Sequence, residues 1–409
     1  MSTAPHPVTG TVRLAALDGL RGVAALVVVV FHYLCLLHWH AVPVFSPDPP
    51  AIADTPLGLL WNGPFAVSVF FVLSGFVMAA AAHRRRAALL ANAATRYLRL
   101  AIPVTASVLL AWALLAAMPD VSLRLAASEA DPSPWLEFTH AGEIPGLHLA
   151  LADGMLGNFL QGGSDFNNVL WTMQIELLGS LMLFAIYWLA SGAWRLWLLL
   201  GAAIVIFLLF SNHYLGFIAG AGLYEMARRG WLDPDPDLRW RAALLPALAL
   251  LLGVVLGAPS MGAHERLGLP HLPGLLRLGA PWSLWPVVAA TLILYAALTL
   301  RPLGRLLSAR LPQWLGRVSF GLYLVHVPPL YTLVAAAHLA GTLPAAVLGA
   351  LYFAGVLLAA HLFTLAVDEP GQRGLRRLRE WMVAPGARAE GAAGMPGTRL
   401  SDGGRRHAR

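Results

Sequence analysis

Long apolar stretches, each near the ~20 residues a helix needs to cross a bilayer, recur along this chain with arginines between them. No other feature restricts the fold as much. Hydrocarbon offers no partner for backbone N–H and C=O groups, so segments that cross it must satisfy them internally as helices. Composition agrees: 58% of the 409 residues are apolar and 12% charged, too little polar surface for a water-soluble protein of this size. The expected fold class is all-α, a polytopic membrane helix bundle.

Spans are predicted at about 14–37, 61–82, 98–117, 168–190, 196–211, 213–227, 241–257, 283–300, 320–339 and 345–367. The pair around Ser211–His213 reads either as two short crossings or as one bent segment of re-entrant character. With ten helices and a cytosolic N-terminus, the 28 basic residues, all arginine, fall inside except Arg124, Arg266 and Arg277. Positive loops resist translocation, so both termini are expected in the cytosol. The formal charge of +7 is thus topological and implies no nucleic-acid partner. The first span exceeds a signal-peptide core and has no small-x-small cleavage site after Leu37, so it reads as a retained helix. Cys35 has no second cysteine to pair with.

Residues 1–13 read as a cytosolic N-terminal segment and 14–370 as the transmembrane domain, with long outward loops at 38–60 and 118–167 where an acceptor would dock. Residues 371–384 are basic with apolar positions near helical spacing, the pattern of a helix lying on an anionic leaflet. The Gly, Ala, Arg and Pro content of 385–409 implies a disordered tail.

Ionisable groups at membrane depth are costly and usually face a cavity or a partner. Arg21 and His32 are eleven residues apart. They therefore return to within ~20° of one direction, ~16 Å apart along one helix face. Asp18, three residues before Arg21, lies close to the same face. This gives one polar stripe from the cytosolic mouth towards mid-bilayer. Arg21 reads either as a donor-binding group or as a topology anchor paired with Asp18, and His32 either as a buried base or as an interhelical hydrogen-bonding residue. Arg96 and Arg99, at i and i+3, place two guanidinium forks side by side or anchor the helix. Glu176 lies at a depth where insertion costs ~2.5–3.5 kcal/mol, and a residue that costly usually has a partner. It reads either as a functional group that orients His32, pairs with an arginine or binds a protonated group, or as the holder of a purely structural hydrogen bond, with Thr172 on its face. Ser319, Tyr323 and His326, at i, i+4 and i+7, form a polar stripe that packs the bundle or lines the same cavity. Ser74 lacks the G-x-S-x-G elbow of a nucleophile and reads as small-residue packing with Gly75. No H-E-x-x-H-type spacing occurs, and no metal is expected.

Several of these residues carry a family resemblance. LAALDGLRGVAALVVVVFHY at 14–33 resembles the opening signature of acyltransferase family 3 membrane proteins, and FFVLSGF at 70–76 resembles their second-helix motif. TRYLRLAIP at 95–103 is similar to the family's double-arginine motif, and VLWTMQIELLGSL at 169–181 to its tryptophan-to-glutamate motif. LGRVSFGLYLVHVPP at 315–329 resembles the late glycine–tyrosine–histidine segment, and DEP at 368–370 sits where the last helix commonly closes. Phe320 stands where tyrosine is frequent, and Met173 and Gln174 vary the motif before Glu176.

The resemblance implies an O-acyltransferase of the bacterial inner (plasma) membrane. It would take an acyl group, often acetyl, from cytosolic acyl-CoA as co-substrate, with no bound cofactor, to a hydroxyl on a carbohydrate or lipid-linked glycan acceptor. Coenzyme A phosphates would then rest on Arg96, Arg99 and Arg21, with Asp18, Ser319, Tyr323 and His326 in support. His32 and Glu176 would be the catalytic pair, His32 acting as general base on the acceptor or briefly carrying the acyl group. The rival reading is a multi-pass transporter or flippase of an envelope precursor, in which the same stripe carries a solute or protons. Acceptor, acyl length and oligomeric state are left open by the sequence.

Overall fold

The computed structural model describes residues 7–84, 88–139, 142–209, 213–233, 241–258 and 284–380, and every regular element among them is helical. In chain order these are α1 (Pro7–Leu37), α2 (Gly63–Arg84), α3 (Leu89–Ala117), α4 (Val121–Ser128), α5 (Leu147–Ala152) and α6 (Asn158–Gln161). There follow α7 (Trp171–Leu189), α8 (Gly192–Leu209), α9 (His213–Arg228), α10 (Arg241–Gly257), α11 (Trp285–Thr299) and α12 (Arg301–Leu307). The last four are α13 (Arg310–Val325), α14 (Val327–Pro329), α15 (Ala335–Ala340) and α16 (Ala345–Phe363). The final helix continues through a π turn to Glu380, well past the predicted end of the last span at 367.

Each predicted span falls on a helix, but length separates them. Five helical segments are long and apolar enough to cross a membrane, and seven if the bent pairs α11–α12 (94°) and α13 with 327–340 (50°) each count as one. The apolar stretches Gly192–Leu208 and Ala243–Gly257 are shorter, and α9 has 16 residues.

Glycine lets the central helices touch backbone to backbone. A Cβ on Gly22 of α1 would lie 2.4 Å from the Gly316 nitrogen of α13, and one on Gly316 would lie 2.2 Å from the Asp18 carbonyl oxygen. Neither position accepts a side chain, so α1 and α13 run in contact and hold Asp18 and Arg21 against Gly316–Ser319.

The bend after α13 has a covalent cause. Pro328 has no N–H to give the Leu324 carbonyl four residues back. That carbonyl instead accepts from Ser107 Oγ of α3 (2.7 Å) and Asn167 Nδ2 (2.9 Å), all within the buried interior. The Tyr352 hydroxyl of α16 caps the His326 carbonyl at the same bend (3.1 Å).

The predicted outward loop 118–167 is corrected here, because its second half re-enters the bundle. Trp112 Nε1 near the end of α3 donates to the Pro145 carbonyl (2.9 Å), whereas Tyr97 near its beginning donates to that of Met155 (2.6 Å). The α5–α6 segment therefore descends along α3 by ~20 Å. A Cβ on Gly154 would sit 2.7 Å from the Thr105 Cα, so the two helices are in close contact on the way. The chain then climbs back to place Asn167 on Ser107 (2.9 Å) before α7 begins. At 15 residues this apolar stretch is too short to register as a span. Residues 38–62, 118–139 and 142–146 form the loop face of the bundle; the opposite face, where α2 ends and α3 begins, is its base.

Candidate functional site

A cavity of about 430 Å³ opens among α1, α2, α3, α7, α13 and the end of the last helix. Its polar lining gathers most of the residues singled out from sequence: Asp18, Arg21, Arg96, Arg99, Thr172, Glu176, Ser319 and Tyr323. Val67, Phe70, Phe71, Leu100, Met173 and Phe320 supply the apolar wall.

Arg21 Nη2 lies 3.0 Å from Asp18 Oδ1 and donates to the Gly316 carbonyl (3.0 Å), while Nε donates to Ser319 Oγ (3.0 Å). The glycine contact between α1 and α13 makes this reach possible. Arg96 and Arg99 share a helix face and part company in what they hold. Arg96 Nη2 is 2.5 Å from Glu176 Oε2 and its Nε donates to Ser180 Oγ (2.9 Å), so its fork is engaged on α7. Arg99, solvent-exposed in the cavity wall, makes no hydrogen bond or ion pair among the described residues. Of Glu176's expected partners, the structure selects the arginine. Its second oxygen accepts from Ser74 Oγ (2.6 Å), and it does not touch His32.

Ser74 was read from sequence as packing with Gly75, and its place as a carboxylate partner in the cavity was missed. Also missed were Thr364, Asp368 and Gln372 at the cavity mouth, beside the Arg317–Glu369 ion pair (2.6 Å). Their i, i+4, i+8 spacing marks one helix face. It was hidden because the DEP segment was taken to close the helix that in fact continues.

The largest correction concerns the histidines. Arg21 and His32 share a face of α1, as the spacing predicted, yet His32 and His326 lie outside the cavity lining. Tyr323 stands between. Its ring lines the cavity, 5.8 Å from Phe70, and its hydroxyl meets Thr172 Oγ1 and the Val169 carbonyl, each at 2.9 Å. The His326 ring lies 5.9 Å from that of Tyr323 on the other side, and the His32 ring 5.0 Å further. Val169, just before α7, and Thr172, at its start, fasten Tyr323 in this place. Eleven residues of helix carry His32 above the partition that a helical wheel cannot show.

The two imidazoles form a directed pair. His326 Nδ1 is 2.8 Å from the Tyr323 carbonyl and 3.1 Å from that of Leu322. Carbonyls only accept, so in the neutral ring Nδ1 carries the hydrogen and Nε2 a lone pair. That lone pair faces His32 Nδ1 at 3.0 Å, and the Val28 carbonyl lies 3.0 Å from the same nitrogen. His32 therefore holds its hydrogen on Nδ1, which leaves the lone pair on Nε2. Trp135, from the loop-face helix Pro134–Phe138, packs 5.7 Å from the His32 ring, and Ser133 Oγ ties that segment to the Cys35 carbonyl (2.5 Å).

No curated protein and no solved structure matches this chain. A family model described as an acyltransferase domain matches residues 14–367, a stretch that contains every side chain of the cavity wall except Asp368, Glu369 and Gln372, together with both histidines. The chain thus belongs to acyltransferase family 3 and is a membrane acyltransferase.

Proposed function

We propose that this protein moves an acyl group, acetyl in the simplest case, from acyl-CoA entering at the cytosolic base to a hydroxyl of a carbohydrate-type acceptor arriving at the loop face of the bacterial inner membrane. In this reading the bundle crosses the membrane ten times with both termini inside. The arginine distribution supports that topology, since the connections at the base carry most of the positive charge.

The observation that carries the proposal is a succession of neighbouring groups. The unengaged Arg99 and the anchored Arg21 lie in the cavity, Tyr323 at its inner wall, and the His326–His32 pair directly behind. Coenzyme A is a polyphosphate with a long flexible arm ending in a thioester. Guanidinium groups hold phosphate oxygens bidentately, and the apolar wall of Phe70, Phe71 and Met173 suits the arm. Arg96, its charge offset by Glu176, shapes the cavity wall and offers no free fork.

His32 Nε2 removes the proton from the acceptor hydroxyl as its oxygen attacks the thioester carbonyl carbon. The C–S bond breaks, and the thiolate leaves with a proton returned by the imidazolium. His326 holds the Nδ1 hydrogen of His32 in place, the role of the orienting group in a nucleophile–base–orienter set. Because Tyr323 divides donor from base, its side chain swings aside during each turnover. A direct attack and a short-lived acyl-histidine are both compatible with this arrangement.

The test is incubation of purified protein with labelled acetyl-CoA and a panel of sugar-bearing acceptors. Acceptor-dependent CoA release and a labelled ester are the expected result. Movement of an unmodified solute without CoA release overturns the reading in favour of a transporter.

A further inference from the structure

A second charged centre lies at the base, where the ends of α2, α7 and α9 meet the start of α8. At its heart is Glu225, 1% exposed. One of its oxygens is 2.9 Å from Arg195 Nη1 and accepts from the Tyr187 hydroxyl (3.0 Å). The other is 2.7 Å from Arg228 Nη2 and 3.5 Å from Arg229 Nε. None of these residues lines the cavity.

Counting Arg195, Arg228 and Arg229 against Glu225, and against Asp233 in the turn beside Gly230, leaves a surplus of one positive charge. Arg195, 4% exposed in its side chain, is satisfied: it stacks 4.2 Å over Tyr187, donates to the Ala190 carbonyl (3.3 Å), and gives Nη1 to His83 Nδ1 (3.0 Å). A guanidinium only donates, so His83 accepts there and is neutral. Arg195 and Glu225 cancel. Arg228 and Arg229 remain, with 33% and 23% of their side chains exposed and their inner ends pinned by one buried carboxylate. Arginines serving only as topological charge need no such anchor.

The depth of the patch is marked independently. Trp188, Trp194, Trp197 and Trp231 are 49%, 76%, 66% and 63% exposed on the same helix ends, and Arg229 lies 5.4 Å over the Trp231 ring. Exposed tryptophans of a membrane protein settle at the headgroup layer, where the available anions are lipid phosphates.

We propose that Arg228 and Arg229, held by Glu225 within a rim of exposed tryptophans, form a binding site for a phosphate-bearing anion, occupied in the membrane by the headgroup of an anionic phospholipid. Basic pockets between helices at this face bind such headgroups, and each basic group at an anionic surface contributes about a factor of five in affinity. The site is independent of the acyl-transfer reading.

The experiment uses the full chain in zwitterionic detergent. Its unfolding midpoint is followed as phosphatidylglycerol, phosphatidylcholine or inorganic phosphate is added, and retained lipid is weighed by native mass spectrometry. Phosphatidylglycerol should raise the midpoint and remain bound where phosphatidylcholine does not. R228Q/R229Q should weaken it about thirtyfold, and R228K/R229K should retain most of the effect. R228Q alone, which leaves Glu225 both Arg195 and Arg229, should lose about fivefold and serves if the double variant does not fold. An equal response to inorganic phosphate, abolished in the same variants, supports the anion site and assigns it a soluble occupant. No response to either anion, or one unchanged in the glutamine variants, overturns the proposal.

Discussion

His326 Nε2 faces His32 Nδ1 at 3.0 Å, and the backbone behind each ring dictates which nitrogen holds the hydrogen. In the proposed reaction the direction of this bond assigns His32 the part of base and His326 that of its support. H32A should therefore reduce acyl transfer by about 10²–10⁴-fold, the usual worth of a positioned general base. H326A, which removes the group that fixes this tautomer, should cost no more than H32A, with a ceiling of about 10⁴-fold. Residues acting as one unit are not additive, so the double variant should match H32A. Steady-state rates of CoA release decide it, and a double variant at the product of the two losses contradicts the pairing.

Tyr323 lines the cavity that the proposal gives to the donor, between it and the histidine pair, and its hydroxyl is held by Thr172 and the Val169 carbonyl. Y323A should open the partition. Acceptor-independent hydrolysis of acyl-CoA should then rise relative to transfer, because water reaches the thioester. Y323F keeps the ring but loses both hydrogen bonds, and should show a smaller increase. A ratio of hydrolysis to transfer that stays constant in both variants argues that the tyrosine is only packing.

Arg96 and Arg99, equivalent by spacing, should behave differently when changed. R99Q should raise the KM for acyl-CoA about tenfold or more with little change in kcat or Tm, as expected for loss of a charged hydrogen bond to phosphate. R96Q strips the ion-pair partner from buried Glu176 and should destabilise the fold by about 3–5 kcal/mol. Adding E176Q should recover much of that loss. Kinetics and thermal unfolding side by side make the comparison. Similar phenotypes in R99Q and R96Q go against the division of labour.

The α1–α13 contact tolerates no side chain, since a Cβ on Gly316 meets the Asp18 carbonyl at 2.2 Å. G316A should push the helices apart, cost about 1–3 kcal/mol as overpacking does, and weaken the hold of α13 on Arg21. Its KM for acyl-CoA should rise along with the drop in Tm. A variant with native Tm and KM shows that the helices are not in such contact.

The helices and the cavity's membership were legible because both follow from local periodicity. Apolar runs located the segments, and i, i+3 and i, i+4 spacing grouped Asp18 with Arg21, Thr172 with Glu176, and Ser319 with Tyr323. What stayed hidden depends on chain returning from a distance. The α5–α6 segment is too short to look like a span, and the entry to α7, where Val169 and Thr172 hold Tyr323 between His32 and Arg21's cavity, meets α13 only in three dimensions. Glu176's choice of Arg96 and Ser74, on two other helices, has no local signature. Nor has the split between Arg96 and Arg99, which one turn of helix makes neighbours and only the position of α7 distinguishes. Gly75 beside Ser74 suggested packing, which it does provide, against the Phe217 backbone of α9. That explanation concealed the serine's hydroxyl.

The central claim is that the donor occupies the arginine-lined cavity, with its thioester at the Tyr323 partition. Electron cryomicroscopy of the protein saturated with coenzyme A tests it most directly. The predicted map has phosphate density against Arg99 and Arg21 and the pantetheine arm running along Phe70 and Met173 to end at Tyr323. Density for coenzyme A anywhere else on the bundle, with this cavity empty, contradicts the account.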